Sequence, residues 1–290
     1  MLKNILKWTS LVLGSLVVLL LLFYLLVYVK TQARINKVYA VKVQPIVVPH
    51  DSVSYVRGKH IAQNRGCMGC HGDNLAGGRP FLDSASPVGL LYSANITSGR
   101  GGLHFTQDDW VRVLRHGLTP ENRSVWFMPS HDVYQISNRD LGELVSYVTA
   151  QPPVDNVVPA KSLKPLGRML TFFQQYPLLP AEMIDHNYVN HEEVTPSVSA
   201  AYGGYLATVC RGCHGMTLKG GPAHEANAPD APDISSTGHP AKWTDGEFIA
   251  AIRTGRRPQG KVLSDAMPWK VFTYTDDELK AIHLYLESAK

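Results

Sequence analysis

All four cysteines of the chain fall in two copies of one pattern, Cys67-Met68-Gly69-Cys70-His71 and Cys210-Arg211-Gly212-Cys213-His214. Two thiols three positions apart on one helical turn can add to the two vinyl groups of a haem. The histidine that follows then reaches the iron from the same side. The pattern therefore predicts two covalently bound haem c groups with His71 and His214 as iron ligands. Three other readings use the same residues. A thioredoxin-like redox pair calls for a βαβ pattern, which is missing. A Cys₄ zinc site leaves both histidines without a role. Disulfides closing such small loops add little stability.

A haem iron that only passes electrons needs its second axial position filled, and methionine fills it commonly while raising the potential. Met128-Pro129 and Met267-Pro268 supply one candidate each, 57 and 53 residues after His71 and His214. A proline there fixes φ and removes a donor, which suits a loop that aims a side chain. Met68 and Met216 sit too near the attachment turns to reach the far face, and Met169 and Met183 read as packing residues. His131, three residues past Met128, is the substitute ligand. His116 reads as a surface or propionate-contacting residue. His50, His60, His104, His186, His191, His224, His239 and His283 lack a counterpart in the other copy and read as ordinary polar residues.

The elements that must position these groups are also duplicated. Residues 67–78 match 210–221 at Cys, Gly, Cys, His, Gly, Leu, Gly and Gly; further matches join 95–97 to 233–235, 105–117 to 243–255 and 137–148 to 275–286. Such a repeat means two copies of one unit, not one shared core. Thr106…Asp109 and Thr244…Glu247 have the form of capping boxes, followed by apolar Trp110, Val113 and Leu114 in one copy and Phe248, Ala251 and Ile252 in the other. Ser137…Asp140 and Thr275…Glu278 open a last helix in each copy, with faces Leu141, Leu144, Val145, Val148 and Leu279, Ile282, Leu286. Arg115 and Arg253 recur before a glycine, placed either to pair a haem propionate or to complement a helix C-terminus. No alternating strand pattern competes, so the expected fold is all-α.

Residues 8–29 carry no charge. Twenty-two helical residues span roughly 33 Å, enough for a bilayer core of about 30 Å, and the run is longer than a signal-peptide core. An uncleaved membrane anchor is expected. Lys30, Arg34, Lys37 and Lys42 after the span outnumber Lys3 and Lys7 before it, which by charge alone keeps the following chain inside. Haem attachment argues for the outer side, and large domains translocate largely regardless of flanking charge. Residues 151–199 hold seven prolines around the apolar run 166–179; a free linker would be polar, so this connector is expected to pack on one or both haem units.

The whole chain has 290 residues, 44% apolar and 18% charged, which excludes a disordered or collagen-like protein. A net charge of +4 is too mild to imply nucleic-acid binding.

On the two CxxCHGxxLxGG stretches, the two Met-Pro pairs and the capped helices, the sequence resembles the membrane-anchored dihaem cytochromes c of bacteria over about residues 53–290. It is also similar to the cytochrome subunits of periplasmic alcohol and sugar dehydrogenases, which typically carry three haems, and more loosely to dihaem subunits of a terminal oxidase class. The resemblance implies class I-like haem domains outside the cytoplasm, Cys67, Cys70, His71 and Met128 serving one haem, and Cys210, Cys213, His214 and Met267 the other. The expected organisation is a transmembrane anchor (1–30), a stem (31–52), a first cytochrome c domain (53–150), a connector (151–199) and a second domain (200–290). The expected function is single-electron transfer by a single-pass protein on the periplasmic side of the inner membrane, with redox proteins as partners in a respiratory or photosynthetic chain. The alternative is a subunit of a dehydrogenase or oxidase complex. A dihaem peroxidase-type enzyme needs a displaceable sixth ligand, against which the paired methionines weigh.

Overall fold

The computed structural model describes residues 2–222 and 229–290, so His224 lies outside the described residues. Helix α1 (Leu2–Ile35) is followed by α2 (Ser52–Asn64), α3 (Cys67–His71), strands β1 (Pro80–Leu82) and β2 (Gly89–Tyr92), and helices α4 (Gln107–His116), α5 (Ser130–Val133) and α6 (Asn138–Thr149). Then come β3 (Ser162–Leu163), α7 (Pro165–Phe172), α8 (Ala200–Leu206), α9 (Arg211–His214), α10 (Asp245–Thr254) and α11 (Asp276–Ser288).

Two apolar cores form. The first gathers Ala62, Leu75, Trp110, Val111, Leu114, Leu141, Leu144, Val145 and Val148 from α2, α4, α6 and the loop after α3. The second gathers Leu206, Leu218, Phe248, Leu279, Ile282 and Leu286 from α8, α10, α11 and the matching loop. The capped starts are present as the sequence implies: Thr106 with Asp109, Thr244 with Glu247 and Thr275 with Glu278 close reciprocal boxes, and Ser137 accepts from the Asp140 amide. Each such cap stabilises its helix by about 1 kcal/mol.

In both units the first and last helices cross at a glycine. A Cβ on Gly58 would lie 2.0 Å from the Glu143 carbonyl oxygen of α6, and one on Gly203 would lie 1.8 Å from that of Ala281 in α11. Only a hydrogen permits backbones to approach so closely. The two cores meet across Tyr205, whose hydroxyl donates to Asp140 at 2.6 Å and accepts from the Ser137 amide at 3.1 Å. His60 Nε2 lies within hydrogen-bond distance of the Glu278 carboxylate at 3.0 Å, and Asn64 accepts from the Thr273 amide at 2.8 Å.

The fold is mostly helical, yet the all-α expectation needs correcting by one small antiparallel sheet of order β1-β2-β3. Pro80 pairs with Tyr92, and Gly89 with Leu163. Strands of two to four residues are too short to show alternation, and β3 comes from the connector, so local pattern could not reveal the sheet. The sheet accounts for the longer first copy: 16 residues separate Gly78 from Asn95, where 11 separate Gly221 from Asp233.

The connector packs against the first unit. Phe127 donates its amide to the Leu178 carbonyl at 2.8 Å and stacks on Tyr176, while Asn190 donates to the carbonyls of Tyr134 and Ile136 at 2.8 and 3.0 Å. It also grips α1, which the sequence did not announce. Phe23 meets Phe172 and Phe173 at ring separations of 6.4 and 6.5 Å, Arg168 lies over the Tyr28 ring, and Arg34 bonds both Glu182 and the Thr171 carbonyl. Helix α1 is long and apolar enough to cross a membrane by length and composition, and it continues five residues beyond Lys30 before the stem begins.

Candidate functional site

The first CxxCH stretch forms a short helix and the second runs from a 3-10 turn at Cys210 into α9; both end on the histidine. The ring is held in the same way in both: Nδ1 of His71 lies 2.8 Å from the Ala94 carbonyl and Nδ1 of His214 lies 2.7 Å from the Pro232 carbonyl. A carbonyl only accepts, so Nδ1 carries the proton and Nε2 keeps the lone pair, the atom available to a metal. Burial lowers the pKa of both imidazoles, against the raising effect of those carbonyl bonds, so both stay neutral near pH 7.

The next residue shows why glycine follows each motif. Gly72 (φ 79°, ψ 165°) and Gly215 (φ 77°, ψ 162°) occupy a region open essentially to glycine alone. The chain then folds back identically. Leu75 and Leu218 donate to the carbonyls of Gly72 and Gly215, and Gly77 and Gly220 to those of His71 and His214, at 2.7–3.0 Å. Both leucines adopt positive φ and both are almost wholly buried. Asn95 and Asp233 then each accept from the second residue on, Thr97 and Ser235, by amide and hydroxyl.

Cys67, Cys70 and Cys210 are partly buried and Cys213 is exposed. Burial pushes Cys67 up to about 12 and Cys210 up to about 11, and raises Cys70 as well. Reactive redox pairs have lowered values, so the setting opposes a thioredoxin-like role. Among the described residues no three His, Cys, Asp or Glu side chains gather into a metal cluster, which removes the Cys₄ zinc reading. Two cysteines three positions apart beside a tautomer-locked imidazole do fit covalent haem.

The methionines share a turn that the sequence only hinted at. Ser130 donates its amide to the Met128 carbonyl at 2.7 Å, and Trp269 to that of Met267 at 2.8 Å. The intervening prolines sit at φ −78°, ψ 54° and φ −80°, ψ 44°, close to the inverse γ-turn. Both methionines are half-buried, and Met128 packs against the first core.

Arg115 and Arg253 take a role that neither sequence reading named. Each Nη2 donates to a carbonyl just before the last helix, Ile136 or Tyr274, and to the first residue of that helix, Asn138 at 2.7 Å or Asp276 at 3.0 Å. The guanidinium thus ties α4 to α6 and α10 to α11. His116 is buried, not on the surface; its Nδ1 lies 3.3 Å from that of His186 in the connector. His60 and His283 are structural ties: His283 joins Asp245 at 2.7 Å and the Pro240 carbonyl at 2.9 Å.

Sequence reading missed Arg65, which precedes the first motif and reaches across to the turn before the second, bonding Thr208 Oγ1 and the Tyr205 carbonyl. It also missed Gly58 and Gly203. Their spacing differs by 145, against 143 for Cys67 and Cys210, and that slip of two hides the upstream part of the repeat.

A family model described as cytochrome C oxidase, cbb3-type, subunit III matches residues 199–286. That stretch is matched as a cytochrome c domain. More specifically, the chain is distantly homologous to cytochrome c subunits of quinone-linked dehydrogenases. It is 27% identical over 282 residues to the alcohol dehydrogenase (quinone), cytochrome c subunit of Gluconacetobacter polyoxogenes, covering 82% of this chain and 56% of that one. Against the fructose dehydrogenase cytochrome subunit of Gluconobacter japonicus it is 24% identical over 261 residues, covering 81% and 52%. A 97-residue stretch is 32% identical to the gluconate 2-dehydrogenase cytochrome c subunit of Pantoea cypripedii, covering 31% and 22%. The chain spans little more than half the length of the relatives it matches along most of its course.

Proposed function

We propose that this chain is the membrane-anchored, dihaem electron-transfer subunit of a periplasmic dehydrogenase complex. Relatives named as dehydrogenase subunits match most of the chain, which favours the complex over the freely acting carrier that motif chemistry alone suggests. The observation that carries two haems is the duplicated attachment geometry: the same Nδ1–carbonyl bond, the same glycine conformation and the same Met-Pro turn occur in both units.

On this reading residues 53–150 and 200–290 are tandem cytochrome c domains. Cys67 and Cys70 hold one haem and Cys210 and Cys213 the other, with His71 and Met128, and His214 and Met267, as axial ligands. Bound haem supplies a one-electron couple, raised in potential by His/Met ligation. The chain contributes orientation and burial: the Ala94 and Pro232 carbonyls lock each imidazole, the glycines turn the chain back under the motif, and apolar cores keep water from the site. Tyr205, Arg65 and the His60–Glu278 pair hold the two units together, fixing the distance an electron crosses between them.

Helix α1 serves as an uncleaved anchor. Val27 and Thr31 on it are fully buried against the protein, and removal as a signal would strip Phe23 from the connector. The haem units then lie on the extracytoplasmic face.

The test is purification of the full chain from its native membrane in mild detergent. The pyridine haemochrome assay should return two c-type haems per chain, and a dehydrogenase subunit should co-purify. A single haem would refute the tandem reading. A chain that runs alone and reduces a soluble acceptor would refute the subunit reading.

A further inference from the structure

From the junction of α1 and α7 we infer a binding groove for an anionic glycerophospholipid. The groove has a volume of about 550 Å³ and is lined by Leu26, Lys30, Ala33, Arg34, Lys37, Phe172 and Gln174. The inference rests on the anchor reading above.

Residues 26, 30, 33 and 34 follow the i, i+4, i+7 rhythm that puts side chains on one helix face, and Lys37 follows two residues after the helix ends at Ile35. Reading along that face, apolar Leu26 gives way to cationic Lys30 and Arg34, with Lys37 lining the groove just past the helix end, while Phe172 and Gln174 of the connector form the opposite wall. Phe172 and Phe173 pack against Phe23, six residues before Val29 and so about 9 Å deeper along the helix. The apolar end of the groove therefore lies inside the bilayer when residues 8–29 span it. Its cationic end lies at the headgroup level, where anionic lipids attract basic side chains.

The charges favour an anion. Arg34 is neutralised by Glu182 at 2.6 Å, which leaves Lys30 and Lys37 as the net charge. Lys30 is exposed, and the Lys37 ammonium lies 4.3 Å above the Tyr39 ring, open to a second partner. A phosphodiester held between these ammonium groups places its acyl chain along Leu26 and Phe172. A zwitterionic lipid would bring its own cation to the same rim and gain less.

The experiment uses the full chain in nanodiscs of phosphatidylglycerol or phosphatidylcholine, followed by native mass spectrometry in mild detergent. One retained phosphatidylglycerol per chain is expected, with little retention of phosphatidylcholine. Substituting Lys30→Ala and Lys37→Ala together should weaken retention about thirtyfold, because each cation near a charged surface contributes about one factor of five to six. Lys3→Ala with Lys7→Ala, at the other end of the span, should leave it unchanged. Equal retention of both lipids overturns the proposal, as does wild-type retention by the Lys30/Lys37 variant or loss from that variant of a partner subunit but not of lipid. Alkaline carbonate extraction separates the two readings. Release from the membrane sinks the anchor, whereas a firmly anchored chain that retains no phosphatidylglycerol sinks the groove alone.

Discussion

Substituting Gly203→Ala should destabilise the second unit by about 2 kcal/mol. The added Cβ would fall 1.8 Å from the Ala281 carbonyl oxygen and 2.3 Å from its carbon. An ordinary contact needs roughly 3.3–3.5 Å, so α8 must retreat from α11 by about 1.5 Å. Helix α8 has seven residues and is about 10 Å long. A gap 1.5 Å deep along that length and about 8 Å wide leaves roughly 120 Å³ empty. At about 24 cal/mol per Å³ the cost is about 3 kcal/mol. Replacing glycine by alanine inside a helix returns about 1 kcal/mol. For a unit of this size the net loss lowers the melting temperature by about 8–16 °C. Gly204→Ala is the matched control: the nearest atoms to its Cβ would be Tyr285 ring carbons, at 3.0 Å and beyond, and a side chain can yield where a carbonyl cannot. The assay is far-UV circular dichroism of the haem-loaded full chain, with haem absorbance read on the same samples. Gly204→Ala should melt near wild type and Gly203→Ala well below it. If Gly203→Ala melts at or above wild type, the close helix crossing that frames Cys210 is not real.

Met128→His and Met267→His should each lower one haem potential by on the order of 0.1–0.3 V, within the about 0.8 V that axial ligands span, and leave the other nearly unchanged; a redox titration in which neither haem moves removes that methionine as a ligand. Burial, helped by His186 and by Arg115 and Arg112, lowers His116 to about 4. The unfolded chain, with its histidine near 6.5, binds the proton first, so this contribution to stability is complete above about pH 6.5 and is lost as pH falls toward 4. His116→Gln should flatten the pH dependence of the unfolding midpoint over that window, and an unchanged slope would rule the histidine out as its source.

Local geometry was legible because it is carried by residues adjacent in sequence. The CxxCH stretches, the Met-Pro pairs and the capped helix starts act within one or two turns, so type and spacing determine them, and duplication made each visible twice. The glycine after each motif was legible as a match but not as a requirement; only its backbone angles show that no side chain fits there.

What tertiary structure decided lies between segments far apart in sequence. Strand β3 exists because the connector folds back onto β2. His60 and Arg65 matter because the second unit stands opposite them, and His116 is buried because residues 178–186 cover it. The crossing glycines escaped notice because a slip of two residues hides them from alignment, whereas a carbonyl 1.8–2.0 Å from their missing Cβ is plain in space. The lysines after the span read in sequence only as evidence on orientation. They become one wall of a groove once Phe172 of the connector is packed beside them, because helix periodicity sets which residues share a face and only packing sets what that face meets.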